Sequence, residues 1–297
     1  MSREALIATI AAVSAAFLYA LSNVYQDQEA EQVAEEHAIR LSILGQLARR
    51  PRWWIGMGSD VGGYVFEALA LGIGSLMLVE PILSTSLLLS LLLSRFLQRR
   101  RIERAGWIAA LVLAAGVSCF LYQVSPTAGS QTAPIRDWVV AAAPVCVLIL
   151  VCVGRARVAS GTARAALLGM AAGASFGISA VLTKAFVHYL GGGVFGWVPH
   201  WEPYALAVFA IGGLVCSQSA FQTGALPTAV AGEQVLQPLV GVLLGAVLLG
   251  EHTTASGLAG FVAVCLAVGA MFYGVVAIAR VEYGPDVDPQ LWIARDE

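Results

Sequence analysis

Five ionisable residues, Asp60, Glu67, Glu80, Lys184 and Glu233, interrupt stretches that are otherwise apolar. An ionised group in hydrocarbon costs at least about 2.5–3.5 kcal/mol on insertion scales, so such groups face a cavity or each other. Gln218 and Gln222 are four residues apart, as are Glu233 and Gln237, and each pair therefore shares one helix face. Glu80 precedes Pro81, and Gln237 precedes Pro238. A proline frees a backbone carbonyl, so a carboxylate or amide beside it could coordinate a solute or cation at a helix interruption; it could equally mark a kink or a first helical turn. Glu80 or Glu67 could exchange protons, with Lys184 either pairing with it or meeting an anionic group of a solute. The structural alternatives are that Lys184 snorkels to an interface and Glu67 is held by a hydrogen bond. Gln218 and Gln222 could bond a polar solute or merely another helix. Tyr19, Tyr64 and Phe176 could line a cavity, although lipid-facing or packing roles suit each alone.

The elements that carry these groups are those of a membrane protein. The chain is 58% hydrophobic and 12% charged, against about 45–50% apolar and about 25% charged in soluble domains. Its apolar runs approach the roughly 20 residues needed to span hydrocarbon. One run covers about 5–25 and reads as a first span rather than a cleaved leader, because many similar runs follow. Eight more cover about 53–73, 76–97, 105–123, 137–153, 164–187, 204–223, 228–249 and 256–279. Residues 27–50 are ambiguous: Asp27, Glu29, Glu31, Glu35, Glu36, His37 and Arg40 alternate with apolar residues at helical spacing. This stretch is either a poorly hydrophobic second span or an amphipathic interfacial helix.

Basic residues report orientation, because cytoplasmic loops retain Lys and Arg. Clusters occur at Arg49, Arg50 and Arg52, at Arg95 to Arg104, at Arg155, Arg157 and Arg164, and at Arg280 and Arg295; the intervening connections hold only Arg136. Ten spans with the amino terminus inside, or nine with it outside, both make every large cluster and the carboxyl terminus cytoplasmic in the cell membrane. Trp53, Trp54 and Trp107 flank the basic side, and Trp138, Trp197 and Trp201 the other, as interfacial anchors. The five cysteines lie in apolar segments without CxxC spacing, which reads as buried thiols rather than a disulfide or metal site. Glycines at four-residue spacing, Gly58 and Gly62, Gly169, Gly173 and Gly177, and Gly241 and Gly245, allow close helix approach within the chain or, alternatively, a homodimer face.

Ala68-Leu-Ala-Leu-Gly72 with Val79-Glu-Pro81, Gly106 and Gly116, Gly224-Ala-Leu-Pro227, Gln237-Pro238-Leu239 and Gly250-Glu251 give the chain its nearest likeness. On these it resembles the drug/metabolite transporter superfamily, and its EamA-like branch most. The resemblance implies an all-α membrane protein, a ten-helix bundle of two inverted five-helix repeats with solute bound between them near the midplane. Residues 1–123 would form the first repeat, 124–136 an outer linker, 137–279 the second repeat and 280–297 a cytoplasmic tail. Ten spans require residues 27–50 to include the second helix; with nine, the symmetry is incomplete. In the assigned topology Glu67, Glu80 and Lys184 share the outer half of the membrane, and Asp60 and Glu233 the inner half.

These features point to a secondary transporter of a small metabolite or drug-like solute, working by alternating access with proton coupling as an option. The alternative is a divalent-cation transporter resembling the NIPA magnesium family, for which Asp60, Glu67, Glu80 and Glu233 would be the oxygen ligands. No phosphate-binding loop, cofactor motif or nucleic-acid patch is present, so the expected partners are a solute and the bilayer. His37, His188, His200 and His252 are scattered over different connections, which is not the clustering an enzyme's acid–base or metal chemistry would need.

Overall fold

The computed structural model describes residues 3–30, 51–98, 104–123, 129–193, 195–223, 226–251 and 257–283. Among these the regular structure is entirely helical: α1 (Arg3–Ala30), α2 (Pro51–Ile73), α3 (Leu76–Leu83), α4 (Ser86–Gln98), α5 (Arg104–Gln123), α6 (Ile135–Ala156), α7 (Gly161–Leu190), α8 (Glu202–Phe221), α9 (Leu226–Leu249) and α10 (Gly257–Tyr283). Five described helices, α1 and α6 to α9, are long and apolar enough to cross a membrane by length and composition. Apolar side chains such as Ile10, Val13, Val139, Leu150 and Val208 point outward, as lipid-facing residues must. The described residues are therefore all-α and of membrane-embedded type.

The expected span 76–97 is not one helix. It divides into α3 and α4 at Ser84 and Thr85, whose hydroxyls bond the Glu80 and Ile82 carbonyls at 3.1 and 2.6 Å. Pro81 lies inside α3, one turn before the break. α9, by contrast, continues through Pro238. Only the first of the two expected interruptions is therefore a break.

Contact pairs fix helix directions. Gly169, Gly173 and Gly177 of α7 lie against the backbone of Ala229, Glu233 and Gln237 of α9. Both series advance four residues per contact, so α7 and α9 run parallel with their backbones touching. This is the intramolecular use of the glycine stripe. Tyr64 bonds Thr183 at 2.9 Å, and Gly72 abuts Val187, which sets α2 parallel to α7 as well. Glu80 of α3 packs on Gly241 and Leu76 on Gly245, so α3 and α9 are antiparallel. Gly116 against Met271 and Gly274 against Leu113 make α5 and α10 antiparallel. These directions gather the helix ends that carry Arg52, Arg104, Arg155 and Arg164 at one end of the bundle.

The first helix departs from the ten-span expectation. Ser22 bonds Asp60, Leu18 abuts Gly62, Tyr19 abuts Gly63 and Ala8 abuts Gly74. From Ala8–Gly74 to Ser22–Asp60 one number rises by about as much as the other falls, so α1 and α2 are antiparallel. A span crossing between them would have made them parallel. The carboxyl end of α1 and the amino end of α2 thus lie at one end of the bundle. This agrees with nine spans rather than ten; residues 31–50, where the extra span was expected, lie outside the described residues, as do His37, His252 and the tail from 284. In the second half, the Trp138 and Trp201 rings meet edge to face at 5.6 Å, so α6 and α8 start at the same end. The two halves consequently differ in their first helix.

The core splits between alanine-rich seams, such as Ala8, Ala12, Ala15 and Ala16 on α1, and a larger-residue cluster of Leu87, Leu113, Phe120 and Met271 around α5 and α10. The cysteines divide differently from expectation. Cys152 and Cys216 are buried, Cys146 is partly so, and Cys119 and Cys265 are exposed; a thiol is apolar enough to face lipid.

Candidate functional site

A cavity of about 350 Å³ opens among α1, α2, α3, α7, α8 and α9. Its wall carries four carboxylates: Asp60 and Glu67 from α2, Glu80 from α3 and Glu233 from α9. Glu67 and Glu80, expected in the outer half, and Asp60 and Glu233, expected in the inner half, thus line one shared space. The reason lies in helix spacing. Asp60 and Glu67 are two turns apart on one face of α2, and the parallel α7–α9 seam turns Glu233 and Gln237 toward that face.

Three of the four carboxylates accept a hydroxyl. Tyr19 donates to Glu67, Ser22 to Asp60 at 3.3 Å and Ser217 to Glu233 at 2.7 Å. Glu80 is different. It is 1% exposed, and neither carboxylate oxygen has a hydrogen-bond partner. Gly241 makes the space it occupies, since a Cβ there would lie 3.0 Å from Glu80 Cδ and Oε1. Tyr19, Tyr64 and Phe176 all line the cavity, together with Leu83, Ile211 and Leu214, so the three aromatic residues share one wall.

Lys184 does not join this cavity. Its ammonium bonds Glu251 Oε1 at 2.5 Å, and both residues are buried. The expected pairing with Glu67 or Glu80, and the snorkelling alternative, are both replaced by this pair. Glu251 also accepts the Leu76 and Met77 amides at 3.1 and 3.2 Å, so it serves the otherwise unsatisfied donors at the start of α3. It can reach there because Gly250 adopts φ +66° after α9, a conformation that favours glycine, and the Glu251 amide returns to the Gly245 carbonyl at 3.2 Å. The sequence signal was present but faint: a lone lysine in an apolar run demands a carboxylate partner, and Glu251 lies 67 residues away, just past the end of a helix.

The remaining sequence candidates separate. Gln237 and Pro238 line the cavity with Glu233, whereas Gln218 on α8 and Gln222 just after it are buried outside its wall. Both amide atoms of Gln222 lack a hydrogen-bond partner. Pro81 is buried within α3 but is not on the cavity wall. At the end opposite the arginine-rich one, Tyr189 stacks on His200 at 3.6 Å, meets His188 edge-on at 5.7 Å and donates to Glu202 at 2.9 Å, so two of the scattered histidines flank one tyrosine. Among the described residues, no three His, Cys, Asp or Glu side chains are grouped to hold a metal ion.

Comparison with known proteins adds one full-length relative. No family model matches the chain, and no solved structure does. The chain is similar to an uncharacterized protein of Corynebacterium glutamicum, 29% identical over 290 residues, covering 94% of this chain and 97% of that one.

Proposed function

We propose that this protein is a secondary transporter that carries a small solute across a membrane by alternating access. The observation that supports this reading is the carboxylate-lined cavity inside an apolar helical bundle. Its volume lies in the range of about 300–1,000 Å³ typical of small-molecule sites, and its wall comes from helices before and after the central connection. The drug/metabolite transporter likeness points the same way, with residues 1–123 and 137–279 as the two halves. An inverted relation between them is supported by two antiparallel pairs, α3 with α9 and α5 with α10. α1 does not share it.

The proposed orientation puts the arginine-rich end in the cytoplasm and the start of α1 on the other side. In a background lacking the native cysteines, Glu4→Cys is expected to react with an impermeant maleimide on intact cells. Arg104→Cys should react only after permeabilisation. Labelling of both from the same side would overturn the nine-span orientation.

Transport itself is tested with purified protein in liposomes, using a broad panel of labelled metabolites and amphiphiles, with and without a pH gradient. The expected result is saturable flux of at least one organic solute, reduced by about tenfold or more in Glu80→Gln, the size of effect that follows loss of a buried charge contact. Response to the pH gradient would assign the coupling ion. The alternative, a divalent-cation transporter, draws on the same four carboxylates. Mg²⁺ flux without organic-solute flux would select it, and absence of all flux would end both readings.

A further inference from the structure

The charge distribution narrows the class of solute. Among the described residues, four carboxylates line the cavity and no Lys, Arg or His does. The one lysine of the chain, which would have balanced one of them, is consumed by Glu251. Three carboxylates have a hydroxyl to bond, whereas Glu80 is buried in the wall with both oxygens unmet. A buried acceptor without a donor is a place where an incoming donor or cation replaces what is missing. The rest of the wall, including Phe176, Tyr64, Leu83 and Ile211, offers π faces and apolar surface rather than further ligands. Aromatic faces attract cations that carry little hydration, and an apolar wall suits a solute with carbon bulk.

Mg²⁺ fits this wall poorly. It keeps several waters and demands near-octahedral oxygen ligands, whereas the described carboxylates form no group of three around a point. An anion would meet four carboxylates and no cation.

We infer that the cavity binds an organic monocation, a protonated amine or quaternary ammonium bearing an apolar or aromatic group, with Glu80 as its counter-charge. This deepens the transporter reading and rests on it for movement across the membrane, while binding can be measured without transport.

The test uses the purified full chain in detergent and labelled benzyltrimethylammonium, whose charge is independent of pH. Benzenesulfonate, of similar size and opposite charge, and Mg²⁺ serve as competitors. Saturable binding is expected, displaced by unlabelled benzyltrimethylammonium and by neither competitor. Glu80→Gln should weaken it by about tenfold or more, with the variant's melting temperature showing that it is folded. Glu202→Gln, which alters a buried carboxylate outside the cavity, should leave it unchanged. Absence of saturable binding, displacement by benzenesulfonate or Mg²⁺, or equal loss in Glu202→Gln and Glu80→Gln would each overturn the inference. Should Glu80→Gln fail to fold, Phe176→Ala takes its place, with unchanged affinity for the cation counting against the site. Flux separates the two claims: a cation that binds but never crosses liposomes retains the site and removes the transporter. Flux of neutral or anionic solutes without cation binding does the reverse.

Discussion

Lys184→Met is expected to lower the melting temperature of the purified protein by on the order of 10 °C, and the double variant K184M/E251Q to recover part of that loss. Removing one member of a buried ion pair leaves the other charge uncompensated, at a cost of roughly 3–5 kcal/mol. In a chain of a few hundred residues each kcal/mol moves the transition by roughly 2–4 °C. After Lys184→Met, the Glu251 carboxylate would keep two backbone amides, from Leu76 and Met77, and lose the cation it pairs with. Glu251→Gln alone should be worse, because it strands the ammonium and also turns an amide NH₂ toward the amino end of α3. The double variant removes both charges and keeps one carbonyl acceptor, so it recovers stability without reaching wild type. Thermal unfolding followed by intrinsic fluorescence in one detergent is the measurement. A double variant less stable than either single one would show that Lys184 and Glu251 do not act as a pair.

Gly173→Leu is expected to prevent recovery of monodisperse protein, whereas Gly58→Leu is tolerated. At 173 even a Cβ would fall within contact distance of the Glu233 carbonyl oxygen and 2.9 Å from its Cα. Both obstacles are backbone, so neither can rotate aside, and α9 would have to leave α7. Overpacking with a few extra methylenes costs roughly 1–3 kcal/mol even where side chains can adjust. Here no side chain can. At Gly58 an added Cβ meets nothing within 4 Å, and replacing an exposed helical glycine relieves up to about 1 kcal/mol of helix cost. Size-exclusion profiles of the two variants decide the matter. Equal, normal profiles would contradict direct contact between the α7 and α9 backbones.

Much of the architecture was legible in hydropathy alone. The expected span 228–249 is Leu226–Leu249, and 204–223 is Glu202–Phe221, because burial in lipid imposes a length and an apolar composition that leave little freedom. Charges at Asp60, Glu67, Glu80 and Glu233 were legible as cavity residues for the same reason, since hydrocarbon excludes them. Pairing was not. Lys184 had several carboxylates within the expected depth, and nothing local shows that Gly250 turns Glu251 inward. The direction of α1 was hidden too, since positive charge flanks it weakly and both span counts put the basic loops on the same side. The glycine stripe on α7 revealed close packing, but the register with α9 required both helices at once.

The division of one membrane crossing into α3 and α4 has a mechanical consequence. Eight residues of helix extend only about 12 Å, less than half of the hydrocarbon thickness of about 30 Å. α3 is therefore a short strut with a joint at each end, one at the Gly74–Ser75 turn and one at Ser84–Thr85. Glu251 grips its first amides, and Glu80 rides on its fifth residue, about one helical turn away. The grip of Glu251 and the cavity carboxylate are therefore separated by a single turn of backbone.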